Sequence, residues 1–155
     1  MGLLHLLSEF QSPSNQRIIA IILFSFLGTF LIARLFVYLV LDHLLPNFFL
    51  TVKGVHIHHY TYGVFLLVII GFYLLLVRPS IDSLGFVLAT FGYGVGLGLT
   101  FDEFGMWIHL RDDYWIRQSY DAVIIVSLIL LNVIYYKSVL RVLTEITSFA
   151  FRAIT

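Results

Sequence analysis

Three histidines within four positions, His56-Ile57-His58-His59, and one acidic pair, Asp102-Glu103, are the residues of this 155-residue chain best suited to chemistry. Imidazole nitrogens and carboxylate oxygens are ligands for zinc, iron and manganese. Cysteine is absent, which excludes thiolate ligation and disulfides. In an extended segment His56 and His58 point the same way, whereas on a helix His56 and His59 share a face. Either arrangement puts two imidazoles on one side, as metal–nitrogen bonds of about 2.1 Å require. The set predicts a divalent metal (zinc, iron or manganese) bound by His56, His58, His59, Asp102 and Glu103, with His109 as an outer contributor. Hydrolysis is the reaction needing fewest parts: about three protein ligands, a position for water, and a carboxylate base, here Asp102 or Glu103.

The elements that must position these groups are membrane spans. Hydrophobic residues make up 60% of the chain and charged ones 12%, with a mean hydropathy of +0.97, too few polar residues to cover a water-soluble domain. Apolar segments at residues 18–45, 58–77, 81–107 and 121–140 each approach the roughly 20 residues that cross a bilayer core of about 30 Å. Their apolar runs are continuous rather than alternating, which speaks against strands. The sequence therefore predicts an all-α membrane protein: a single four-transmembrane-helix bundle with short loops and no sheet. Residues 1–12 form an interfacial segment in this reading, and residues 141–155 an amphipathic C-terminal tail. Neither a cleaved signal peptide nor N-myristoylation is expected, because basic residues are missing before the first leucines and Leu6 stands where Ser or Thr is needed.

Four spans put both termini on one side, together with Arg17, Arg78, Lys137, Arg141 and Arg152; Lys53, Arg111 and Arg117 fall on the other. That balance predicts cytoplasmic termini for a multi-pass integral membrane protein. His43, His56, His58, His59 and His109 then gather at the non-cytoplasmic end with Asp42, Asp102, Glu103, Asp112, Asp113 and Asp121. Their convergence depends on the number of spans and not on which side is inside.

If the third span reaches Trp107, Asp102 and Glu103 lie about 6–8 Å inside its end. Ionised groups are expensive there, by up to about 2.5–3.5 kcal/mol at mid-membrane on insertion scales, so they face the bundle and have partners. Gly94, Gly98 and Asp102 recur every four residues, and Gly92 and Gly96 form a second small-residue step; such faces admit a close neighbouring helix. Arg34, inside the first span, is the expected partner of Asp102 or Glu103. Arg34, Tyr38 and Asp42 share a face and, with His43 and Asp112, form the expected surroundings of the metal ligands.

Phe91-Gly92-Tyr93-Gly94 is not a potassium filter, which needs a re-entrant loop and pore helix, and no strand–turn–helix makes these glycines a dinucleotide site. Six histidines are too few for the several boxes of a membrane desaturase. The pattern His-x-His-His, Gly-Leu-Gly-Leu-x-x-Asp-Glu and Asp-Asp-Tyr-Trp resembles that of small prokaryotic integral membrane proteins; no activity follows from the resemblance. The functional expectation is a membrane-embedded metal-binding protein, with hydrolysis of a lipid or lipid-linked substrate at the non-cytoplasmic interface as its reaction. The alternatives are ion, proton or metal transport or sensing by an oligomer, and a structural subunit with a polar docking end. Membrane lipids, further copies of the chain or a partner membrane subunit are the expected partners. Zero net charge points away from nucleic acid.

Overall fold

A computed structural model describes residues 12–46, 51–52, 55–111 and 115–154; for residues 52, 55, 56, 136–141, 143 and 149–154 it describes the backbone alone. The chain runs α1 (Pro13–Leu41), β1 (Thr51–Val52), β2 (Val55–His56), α2 (His59–Val77), α3 (Leu84–Asp102), α4 (Phe104–His109) and α5 (Arg117–Ile154). Among the described residues four helices are long and apolar enough to cross a membrane: Pro13–Leu41, His59–Val77, Leu84–Asp102 and the first part of α5, Arg117–Tyr135. The architecture is the all-α four-helix membrane bundle the apolar segments predict.

Local signals set the helix ends. Ser12 caps α1, its hydroxyl accepting from the Asn15 N–H at 3.2 Å, and Pro13 occupies the first turn, where no helical N–H is required. Ser83 caps α3 the same way, accepting from Phe86 N–H at 3.2 Å. Arg78, at φ 50°, closes α2 in the left-handed region just before Pro79, which cannot continue a helix.

The span bounds differ from expectation at α1, Pro13–Leu41 rather than 18–45, and at α3, which begins at Leu84 rather than 81, whereas the continuation of the last span into the tail is one the sequence allows. The third span ends at Asp102 rather than Trp107, and the chain turns at Glu103 before the short α4. The turn is anchored by the Gly105 N–H, which donates to Ser119 Oγ at 2.8 Å, and by Glu103 itself, drawn towards α2. The fourth span and the tail are one continuous helix of 38 residues, Arg117–Ile154, about 57 Å at 1.5 Å per residue. Finally, the connection from α1 to α2 contains a two-residue antiparallel ladder, Thr51 opposite His56 and Val52 opposite Val55. The expected interfacial segment before Ser12 lies outside the described residues.

Helix α3 is central, packed along both α1 and α2, while α5 lies chiefly against α1. Glycines permit these approaches on two faces. A Cβ on Gly98 would meet Thr29 Cβ at 2.7 Å and the Phe26 carbonyl oxygen at 2.8 Å, and one on Gly94 would meet the Ile22 carbonyl at 2.5 Å, all on α1. Gly96 and Gly63 play the same part between α3 and α2. Leu23, Phe26, Ala33 and Val37 of α1 and Ala89 of α3 supply the dry core, and residues such as Phe24, Leu31, Phe65, Phe72, Leu76 and Ile129 face outward, as a lipid-facing surface requires.

Single cysteines placed at Ser14 and Asp42, at opposite ends of α1, should react with a membrane-impermeant maleimide from opposite sides of sealed vesicles. Labelling of both from one side would defeat the four-span arrangement.

Candidate functional site

The polar groups meet where the C-terminal end of α3 reaches α1 and the start of α2. Asp102, in the last turn of α3, and Glu103, at the turn, are fully buried, and Arg34 is 5% exposed. Four-residue spacing carries Gly94 and Gly98 onto the α1 contact and therefore brings Asp102 to Arg34 one turn further on. Arg34 Nε stands 2.6 Å from Asp102 Oδ1, and Nη2 donates to the Asp102 main-chain carbonyl, so one guanidinium holds both the side chain and the helix end. Its Cζ lies 4.8 Å from the centre of the Tyr120 ring and 5.6 Å from that of Phe30, a cation–π cradle.

Glu103 turns the other way. Its Oε2 accepts the Tyr60 main-chain N–H at 3.0 Å, an amide of the first turn of α2 that has no carbonyl partner within the helix. Its Oε1 is 3.3 Å from Nδ1 of His58 and 3.3 Å from Nδ1 of His59. His59 Nδ1 also stands 4.0 Å from Asp102 Oδ2, which joins the two halves of the cluster. His58 and His59 are sequence neighbours that reach one oxygen because the backbone changes from extended at His58 (φ −72°, ψ 151°) to helical at His59.

Four of the expected residues, His58, His59, Asp102 and Glu103, thus come together, and Arg34 joins them through Asp102. Asp42 and His43 are exposed beyond the end of α1, and His109 is exposed at the end of α4. Tyr38 is 41% exposed, packs its ring 4.8 Å from that of Trp115 and hydrogen-bonds the side chain of Tyr120, so it stands beside the aromatic cradle of Arg34. The His56 side chain and all of Asp112 lie outside the described residues. Sequence reasoning did not pick out Tyr60, whose contribution is a backbone amide, or Tyr120, whose ring cradles Arg34. The α2 start at His59 carried the only signal for Tyr60: an acidic side chain near a helix N-terminus finds free N–H groups.

No protein family, curated protein or solved structure matches the chain. Its function must be read from the cluster itself.

Among the described residues no three His, Asp or Glu side chains form a ready-made metal cage. Both imidazole nitrogens approach the same carboxylate oxygen, and Asp102 is committed to Arg34. Elsewhere in the spans several hydroxyls bond within their own helix. Ser25 donates to the Ile21 carbonyl at 2.7 Å, Thr90 to Phe86 at 2.8 Å, Thr100 to Gly96 at 2.7 Å and Ser127 to Val123 at 2.7 Å. Nothing among these bonds links the cluster to the opposite end of the bundle.

Proposed function

We propose that this is a membrane-embedded metal-binding protein in which His58, His59 and Glu103 take a divalent ion, zinc, iron or manganese, at the non-cytoplasmic end of the bundle. The observation that carries the reading is the approach of two imidazole nitrogens to one carboxylate oxygen at 3.3 Å each. Neighbouring ligands of a tetrahedral ion with bonds of about 2.0–2.1 Å stand about 3.3–3.4 Å apart. Small rotations of the three side chains would be needed to open a common centre between them. Asp102, held by Arg34, stands 4.0 Å from the same His59 nitrogen and would stay outside the ligand set as a neighbouring carboxylate.

Hydrolysis is the chemistry such a site supports, since water bound to a zinc ion with an open position ionises near pH 7. Neither carboxylate is free to serve as a separate base: Glu103 is engaged by the histidines and Asp102 by Arg34. The nucleophile would have to come from the bound water itself.

Elemental analysis of protein purified without a metal-affinity tag tests the reading. About one zinc, iron or manganese per chain is expected, falling at least tenfold in His59→Ala and in Glu103→Gln while the helical circular-dichroism signal is kept. Wild-type protein that stays metal-free after incubation with all three ions would end it.

A second reading rests on the same contacts taken as they stand. Arg34 with Asp102, at 2.6 Å, and Glu103 with His58 and His59, at 3.3 Å each, form two groups that approach to 4.0 Å between Asp102 and His59, and protons can be shared within the second. Among the described side chains the far halves of the spans offer no polar continuation, which favours sensing over transport by a single chain.

A further inference from the structure

Beside the cluster two cavities adjoin, of opposite character. One, of about 300 Å³, is lined by His58, Tyr60, Met106, Trp107, Leu110 and Arg111. The other, of about 460 Å³, is lined by Tyr60, Thr61, Val64, Phe65, Thr100 and Trp107 and is largely apolar. Tyr60 and Trp107 line both. The first lies at the ends of the spans and presents a guanidinium and an imidazole. The second runs down the α2–α3 seam, within the depth of the spans, past Val64 and Phe65, which are 43% and 63% exposed. Between them stands Trp107, 57% exposed, a side chain suited to the headgroup layer.

We infer that the two cavities are one amphiphile site that takes a membrane lipid with an anionic phosphate headgroup. The headgroup sits between Arg111 and His58, and an acyl chain lies along Thr61, Val64 and Phe65. Charge decides the headgroup, because the cavity offers the Arg111 guanidinium and the His58 imidazole, and among the described residues no carboxylate lines it. Apolar lining decides the tail, each buried methylene of which favours the groove. The inference rests on the metal reading for what would be done to the lipid, since His58 belongs to both sites, but binding of the lipid does not require the ion.

The test uses the full chain carrying Trp115→Phe, so that Trp107 is the remaining tryptophan, in phosphatidylcholine nanodiscs with EDTA present. A minor fraction of phosphatidate with brominated acyl chains should quench Trp107 fluorescence well beyond the same fraction of brominated phosphatidylcholine. Arg111→Gln should raise the half-quenching fraction of phosphatidate roughly tenfold, the factor for one charge-assisted contact, and leave phosphatidylcholine quenching unchanged. Val64→Phe, which fills the groove, should reduce the phosphatidate preference with Arg111 intact. Equal quenching by the two lipids, or a preference indifferent to both substitutions, overturns the proposal. So does full displacement by inorganic phosphate at the concentration of the lipid, which would assign the polar cavity to a free anion. None of these outcomes bears on metal content, which elemental analysis decides separately.

Discussion

Arg34→Leu should lower the stability of the bundle by about 3–5 kcal/mol, the usual consequence of removing one partner from a buried ion pair. The loss has two sources in the structure. Asp102, fully buried, would lose the guanidinium whose Nε now stands 2.6 Å away, and the last carbonyl of α3 would lose its Nη2 donor. Asp102→Asn in the same chain should recover part of the loss by removing the charge, but not all of it, because the carbonyl stays unsatisfied. Glu103→Gln should recover little, since Glu103 faces the histidines. Thermal unfolding in one detergent, run as a double-mutant cycle, measures this. Strict additivity of Arg34→Leu and Asp102→Asn would show that the pair does not carry the energy assigned to it.

Gly98→Val is expected to be nearly as damaging, by about 3 kcal/mol, at the upper end of overpacking effects. The added atoms would run into Thr29 Cβ and the Phe26 carbonyl, and a carbonyl on a straight helix cannot move aside as a flexible side chain can. Relief requires α1 and α3 to separate, which also lengthens the Arg34–Asp102 contact one turn away. Gly28→Val serves as the control, because nothing lies within 4 Å of a Cβ there. Equal melting temperatures for the two variants would refute close α1–α3 contact at Gly98.

Much of this was legible in the sequence for reasons that particular residues make plain. Four-residue spacing from Gly94 through Gly98 to Asp102 identified the face that meets another helix, and Arg34, deep inside the first span, was a cation available to meet it. Which carboxylate Arg34 would take was not legible. That depends on the helix ending between Asp102 and Glu103, and the turn is held by distant partners, the Ser119 hydroxyl and the Tyr60 amide, that no local pattern reveals. The histidines were legible as a group but not as individuals, since the choice between extended and helical backbone decides which two converge. The structure divides the segment between the two states at His58 and so brings together neighbours that neither regular geometry would pair. Of the residues that share a face with Arg34, Tyr38 reaches its surroundings through Tyr120 and Asp42 lies exposed beyond the helix end: periodicity shows that residues lie on one face, not how far along it the neighbouring helices reach.

The pairing of Arg34 with Asp102 across 68 positions of sequence also bears on the order in which the protein is made. Synthesis proceeds from the N-terminus, so α1 emerges and enters the bilayer while its counter-ion is still unsynthesised. Until the chain has been extended through the end of α3, Arg34 must reach towards the headgroups or remain in contact with the insertion machinery. Arrival of Asp102 ends that waiting state, and the same turn of chain delivers Glu103 to the start of α2. Neutralisation of the first span and closure of the polar cluster thus wait on the same turn of chain, and a chain halted before Asp102 carries an arginine without that counter-ion.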